Sequence, residues 1–453
     1  MRYVSTRGAA PELGFADVLL AGLANDGGLY VPVEWPSLPA AVPSASYASR
    51  AADVMAPFVA PDISREVLDR LCHEAYATFR HDAVAPLVEI DRGQWVQELF
   101  HGPTLAFKDI ALQLVGRLFD HVLSARGQQL TIVGATSGDT GSAAIDGVKR
   151  CASIDIVILY PHGRTSEVQR RQMTTVDAPN VRVVAVEGTF DDCQDLVKAM
   201  FADEAFRSTQ RLSAVNSINW ARVMAQVVYY VTATEALRGP VTFSVPTGNF
   251  GNVLSGWIAR QMGADIADFI VASNTNDILA RFINHADMTT REVVPTLSPS
   301  MDIQVSSNFE RLLFEMNERD GGLTAEQLSR FRAVGRLDIE ADQRARWVDG
   351  TFRAARVDDE GTLDEIARVH RSSGMLIDPH TATGTAAARA LRGEHPVVTL
   401  ATAHPAKFPD AVHRATGVHP ALPDHLADLY ELPERFTVLP NDLAAIQRFV
   451  AAR

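Results

Sequence analysis

The sequence predicts an α/β fold built on parallel sheets, and three observations carry that prediction. Short β-branched runs alternate with helical patterns from about residue 129 onward. These runs are continuously apolar, as in strands covered on both faces. Two polar, glycine-rich turns directly follow such runs, where open α/β sheets bind ligands.

Taken in chain order, the first 95 residues read as a separate N-terminal domain. They hold a proline-rich stretch, with Pro32, Pro36, Pro39 and Pro43, and then helical patterns through Leu71 and Tyr76. A smaller α/β domain is expected over 96–235. Its strands are Leu130–Val133, Ile154–Tyr160 and Val181–Val186, and a helix begins at about Thr140. Thr189-Phe190-Asp191-Asp192, ahead of Leu196-Val197, has the hydroxyl and carboxylates of a helix start. A larger α/β domain is expected over 236–453, with strands Val241–Val245, Phe269–Ala272 and Val397–Ala401; these bounds are approximate and allow the chain to cross between the two α/β domains. Residues 287–305, with Pro295 and Pro299, read as a loop. The charged, weakly periodic 340–362 stretch reads as a solvated face or helical insertion. There is no internal repeat or heptad run.

Composition narrows the class. The chain has 453 residues, 47% hydrophobic and 21% charged, ordinary values for a globular protein of two or three domains. No window resembles a membrane helix, and the N-terminus lacks the pattern of a signal peptide, so a cytoplasmic protein with no membrane partner is expected. Cys72, Cys151 and Cys193 are too scattered for a disulfide framework or zinc site and read as reduced thiols; no metal is expected. The formal net charge of −13 disfavours nucleic acid, though helix N-termini and arginines still admit an anionic small molecule.

Three motifs carry chemistry. Phe100-His101-Gly102-Pro103-Thr104-Leu105-Ala106-Phe107-Lys108-Asp109 ends an apolar segment on one cation. A desolvated lysine has a lowered pKa and forms a Schiff base with an aldehyde. The plainer alternative is a snorkelling lysine paired with Asp109. Thr136-Ser137-Gly138-Asp139-Thr140-Gly141 has hydroxyls and amides suited to a carboxylate. There Asp139 either neighbours a cofactor's phenolic oxygen or only caps the next helix. Gly248-Asn249-Phe250-Gly251-Asn252 follows a strand and opens a helix, which suits a phosphate monoester. It is neither a Walker loop nor a dinucleotide fingerprint, and a turn that binds nothing is the alternative. Lysine, carboxylate turn and phosphate turn, in that order, form the layout of a pyridoxal phosphate enzyme.

Further polar clusters share the same rim. Thr402 follows a strand and is placed to meet a pyridine nitrogen. His404 and Lys407, taken singly, read as ordinary polar packing. Arg164 is an anion-binding candidate, as is the stretch from Asn216 through Asn219 to Arg222; surface ion pairs are the commoner fate of such arginines. Gln304–Phe309 opens a helix. No catalytic triad or zinc spacing is present.

In order, these motifs resemble the longer bacterial and fungal branch of the threonine synthase family. The resemblance spans essentially the whole chain. It includes Leu23–Pro32, Phe100–Asp109, Thr136–Gly141, Glu167–Gln169 with Gln172–Thr175, Asn216–Arg222, Gly248–Asn252, Ile377–Ala382 and Thr402–Phe408. It implies a fold type II, tryptophan synthase β-like enzyme with two parallel-sheet α/β domains plus the N-terminal one. It implies pyridoxal 5'-phosphate as cofactor, with Lys108 as the Schiff-base lysine, Gly248, Asn249, Phe250, Gly251 and Asn252 around its phosphate, Asp139 beside its phenolic oxygen, and Thr402 at its ring nitrogen. Asp139 stands where related enzymes have an asparagine.

The implied activity is a carbon–oxygen lyase acting on phosphates: O-phospho-L-homoserine and water give L-threonine and phosphate, by γ-elimination and then β-addition of water. Thr136, Ser137, Gly138, Thr140, Arg164, Asn216 and Asn219 are the expected substrate contacts. Lys149 is a further candidate for the substrate phosphate. The protein is expected to act on this small molecule as a monomer or homodimer. Two other readings stay open: a serine or threonine dehydratase-like enzyme, and a catalytically dead relative that only binds.

Overall fold

A computed structural model describes residues 1–42 and 46–452. Pro43, from the proline-rich stretch, lies outside them. Two parallel sheets dominate the architecture. The first has five strands, in the order Thr437–Pro440, Val181–Glu187, Ile154–Pro161, Leu130–Ala135 and Leu212–Ser213, all parallel. The second has six, in the order Phe352–Arg356, Ile266–Ser273, Val241–Pro246, Val397–Ala401, Gln94–Glu98 and Leu87–Asp91. Only its last pair is antiparallel. The central strands, Val241–Pro246 and Val397–Ala401, are buried along their whole length. Their polar side chains are bound where they are buried, Ser244 to the Gly384 carbonyl at 2.7 Å and Thr242 to Asp268.

The chain crosses between the sheets. Gln94–Glu98 pairs with Val397–Ala401, far along the sequence, and Thr437–Pro440 returns to the edge of the five-stranded sheet. The charged 340–362 stretch is helical over Ala341–Trp347 and again from Asp359, where the helix Asp359–Ser373 begins. Phe352–Arg356 is instead an edge strand, with Phe352 and Ala354 buried. Arg353 on that strand is bound to Asp268, so the charges that hid the alternation belong to an ion pair. Most of 287–305 is irregular, with a 3-10 turn at Pro299–Met301.

The N-terminal segment has its own three-stranded antiparallel sheet and the helices Tyr47–Val59 and Arg65–Tyr76. It docks through Tyr3. The Tyr3 hydroxyl donates to the Phe58 carbonyl at 2.7 Å and accepts from the indole N–H of Trp220 at 2.9 Å. Trp220 is fully buried and begins the helix Trp220–Leu237. Thr189 caps Phe190–Ala202 with a reciprocal Thr189–Asp192 box. All three cysteines are free and buried. Among the described residues no helix is long and apolar enough to cross a membrane.

The helix that Lys108 begins, Lys108–Arg126, packs on Asp139–Val148 with almost no side chain between them. A Cβ on Gly147 would lie 2.5 Å from the Leu112 carbonyl oxygen, and one on Gly116 would lie 2.1 Å from the Gly147 carbonyl. This close seam sets how near Lys108 and Asp139 come. Gly147→Ala is therefore expected to destabilise the protein by about 1–3 kcal/mol, the usual cost of overpacking. A denaturation midpoint equal to that of the unaltered protein would remove the seam from the argument.

Candidate active site

Lys108 lies at the first position of its helix, 9% exposed, where the positive end of the helix dipole faces it. Burial lowers its pKa. Asp139 opposes that shift, while Lys407 and Arg222 push it further down. The expected alternative partner, Asp109, faces away. Its carboxylate accepts from the Thr104 amide at 2.8 Å and the Thr104 hydroxyl at 2.7 Å, and burial pushes its pKa up to about 7.

The acid beside Lys108 is Asp139, with Oδ2 at 3.5 Å from Nζ. Asp139 is the first residue of its helix and does not cap it; Gly138 stands at the cap. Its Oδ1 accepts from Gln169 Nε2 at 2.8 Å and lies 2.9 Å from Lys407 Nζ. Burial drives this carboxyl's pKa upward, but Lys407, Lys108 and the Gln169 bond together hold it well below the usual range. Lys407 is fully buried. Besides Asp139 it donates to the Thr104 carbonyl at 2.7 Å and Gln172 Oε1 at 2.9 Å. It is part of the site, not ordinary loop packing. Gln169, Gln172 and Lys407 gave no signal of this singly; they stood only among the motifs of the family resemblance.

The loops before Lys108 and after Ala401 are laced together. Phe107 N–H donates to the Thr402 carbonyl at 2.8 Å, His404 N–H donates to the Leu105 carbonyl at 3.0 Å, and Ala106 bridges Ala403. Thr402 is thereby held buried next to Lys108. His404 caps the turn that aims Lys407, with Nδ1 accepting from Ala406 N–H at 3.1 Å. Burial pushes its pKa down to about 4, so it caps as a neutral ring. The outer side of these loops lines a separate cleft of about 570 Å³, with Arg80, Glu98 and Met375, which does not include Lys108.

Ser300 links this cluster to the glycine turn. Its hydroxyl lies 3.5 Å from Asp139 Oδ2, and its amide donates to His380 Nε2 at 3.2 Å. Its carbonyl oxygen would be 2.8 Å from a Cβ on Gly248, so only glycine fits there. His380 is oriented by Asp378 at 2.8 Å, and both are buried. The turn ends in Phe250, at φ +61, which caps the helix Gly251–Met262. The N–H groups of a first helical turn have no partner within the helix, which suits a phosphate. Asn252 adds to this. Its Oδ1 accepts from Tyr229 at 2.5 Å and Tyr230 at 2.8 Å, which leaves its buried Nδ2 without a protein partner. An amine tuned for an aldehyde and a turn short of acceptors fit pyridoxal phosphate.

The expected substrate contacts divide. Thr136 is buried and its hydroxyl accepts the amides of Gly138 and Gly141, both at 2.9 Å. Ser137 is exposed and Thr140 half-buried on the same turn. Asn219 caps Trp220–Leu237 and donates to the Leu19 carbonyl at 3.0 Å, while Asn216 is exposed. Arg164 is exposed, and its charge acts on Asp192. Lys149 sits at the far end of the Asp139–Val148 helix, about 15 Å along its axis, paired with Asp146. Arg222 is the cation that the fold brings inward. It is 3% exposed, its Nε has no hydrogen-bond partner, and no acid pairs with it among the described residues. Burial lowers its pKa to about 10.

Comparison with known proteins supplies the family. Residues 79–403 match the family model "Pyridoxal-phosphate dependent enzyme". The chain is thus a pyridoxal-phosphate dependent enzyme of fold type II. Residues 2–76 match "Threonine synthase N terminus" and 381–450 match "Threonine synthase, C-terminal". The threonine synthase of Pseudomonas aeruginosa is 56% identical over 100% of this chain and 98% of that protein. A pyridoxal phosphate-bound threonine synthase structure from Brucella melitensis superposes with a TM-score of 0.97 at 50% identity, covering 99% of this chain and 98% of that one. The yeast enzyme does so at 0.94 and 37%, covering 100% and 98%. The chain belongs to the threonine synthase family. A tomato threonine deaminase shares the fold alone, at 12% identity and a TM-score of 0.51.

Thr136 is expected to hold the carboxylate turn. Thr136→Val keeps its shape but strands two amides, which costs about 1–3 kcal/mol for each buried group left unpaired. Thr136→Ser should restore most of the loss in thermal melting. Equal stability of all three proteins would show that the hydroxyl does not organise the turn.

Proposed function

We propose that the chain converts O-phospho-L-homoserine and water to L-threonine and phosphate, in the cytoplasm, as a monomer or homodimer. One observation favours this over a dehydratase: Arg222, a buried cation held by the Val215 carbonyl at 3.1 Å with no acid beside it among the described residues and its Nε free, close enough to weigh on Lys108, in addition to the phosphate-suited turn at Gly248–Asn252. A dehydratase substrate carries no phosphate and needs no second anion site. A binding protein without chemistry has no need for a lysine of lowered pKa.

In this reading Gly248, Asn249, Phe250, Gly251 and Asn252 hold the cofactor phosphate, Thr402 meets the ring nitrogen, and Asp139 lies beside the phenolic oxygen. Lys108 binds the aldehyde carbon. When bound, pyridoxal phosphate supplies the electron sink for charge developing at the substrate's α-carbon. The turn Thr136–Thr140 receives the substrate carboxylate. Lys108 Nζ would hold the cofactor's aldehyde group and, as a buried amine of lowered pKa, would serve as the base for the substrate's α-proton. Arg222 holds the substrate phosphate, which departs from the γ-carbon before water adds at the β-carbon. Of the candidates the sequence offered, burial favours Arg222 over the exposed Arg164.

Three variants test this. Lys108→Ala should lose the absorbance band of the bound cofactor and all phosphate release from O-phospho-L-homoserine. A retained band would exclude Lys108 as the attachment point. Arg222→Met should keep the band and raise KM about 10- to 100-fold, the worth of a charged hydrogen bond. Arg164→Ala should leave KM unchanged. The opposite ranking of the two arginines would return the phosphate to Arg164.

A further inference from the structure

Asp139 lies between two buried lysines that are not held alike. Lys407 Nζ has three acceptors, Asp139 Oδ1 at 2.9 Å, the Thr104 carbonyl at 2.7 Å and Gln172 Oε1 at 2.9 Å. An ammonium has three N–H donors, so Lys407 is saturated as a cation. Lys108 reaches the same carboxylate only at 3.5 Å, the outer limit of a hydrogen bond. The carboxylate's charge is therefore already met before Lys108 is considered.

The groups facing Lys108 come from several elements. Asp139 faces it from its helix, Lys407 from the Pro405–Lys407 turn and Arg222 from the Trp220–Leu237 helix. On its own helix Asp109 is occupied by Thr104. Asp139 in turn is faced by both lysines, Gln169 and Ser300. One carboxylate already balances Lys407 with Arg222 left over, so a charged Lys108 would be a third cation in a buried space.

We propose that Lys407 is the permanent counter-ion of Asp139, a positioning residue whose charge leaves the Lys108 amine neutral and able to react. The inference rests on the reading of Lys108 as the amine that binds the cofactor aldehyde. In that step Nζ attacks the aldehyde carbon, and the aldehyde oxygen leaves as water with the two amine hydrogens. Only the uncharged amine attacks, so the rate follows the neutral fraction of Lys108. Removing Lys407 would leave Asp139 with Lys108 as its nearest cation. That favours the ammonium, raises the Lys108 pKa and moves the rate profile to higher pH.

The test is the rate at which the full-length apoenzyme captures pyridoxal phosphate, followed by absorbance across pH. Lys407→Met should shift the profile to higher pH by about one unit or more, the usual effect of a close opposite charge no longer shared. Below the midpoint this appears as about a tenfold slower capture. Lys407→Arg should keep the profile of the unaltered protein. A Met profile that coincides with it, or an Arg profile that moves as far as Met, would overturn the proposal. If Lys407→Met fails to fold by circular dichroism, Lys407→Gln, which keeps a donor for the Thr104 carbonyl, is read in its place. Lys108→Ala separates the two levels: capture that persists in it refutes the role of Lys108, whereas lost capture with no shift in the Lys407 variants refutes only the counter-ion.

Discussion

A carboxylate buried between two lysines is the constraint on which the rest of the site depends. Charges taken out of water must be matched closely or they unfold what surrounds them. The groups that face Asp139 come from four separate pieces of chain. Lys108 comes from the first position of its helix, Gln169 from the helix Glu167–Thr174, Lys407 from the turn after Val397–Ala401, and Ser300 from a 3-10 turn. These pieces belong to both sheets and to the segments between them. The electrostatic match thus fixes how the two halves of the molecule meet, and the glycine seam between the Lys108–Arg126 and Asp139–Val148 helices lets them meet closely enough.

The N-terminal segment and the 296–303 region support this arrangement from behind. Arg311 donates to the carbonyls of Tyr30 and Ile218 at 3.0 and 2.6 Å and to Asn308 at 2.5 Å, which ties the N-terminal segment to the approaches of both the Trp220–Leu237 helix and the glycine turn. Asp378 and His380 hold Ser300, and Ser300 presses on Gly248. The polar groups of the cluster are thus held by other buried polar groups, and few are left to choose their own rotamer.

Much of this was legible in the sequence because it is local. A buried parallel strand such as Val241–Pro246 is a short run rich in β-branched and apolar residues, and the turn after it is glycine-rich, so both are read from a few adjacent residues. Thr189 announced its helix for the same reason. What was not legible is pairing at a distance. Lys407 and Arg164 look alike as sequence, each a lone cation after a strand, and only burial separates them. Arg222 differs from a surface arginine only because its helix is enclosed. The edge strand Phe352–Arg356 was hidden because its charges pair with Asp268 on another strand, and the crossing of Gln94–Glu98 between sheets follows from tertiary contacts that no window of sequence contains.

The return of Thr437–Pro440 to the five-stranded sheet has a consequence for how the molecule is made. During synthesis Val181–Glu187 emerges long before the strand that covers its edge. Until that strand arrives, the growing chain carries an open row of backbone donors and acceptors, a template to which any extended segment can add. The polypeptide leaving the ribosome is therefore most exposed to mispairing in the interval between those two strands. Thr437–Pro440 closes that interval by covering the row and becomes the edge of the sheet in its place, a short strand that ends in proline.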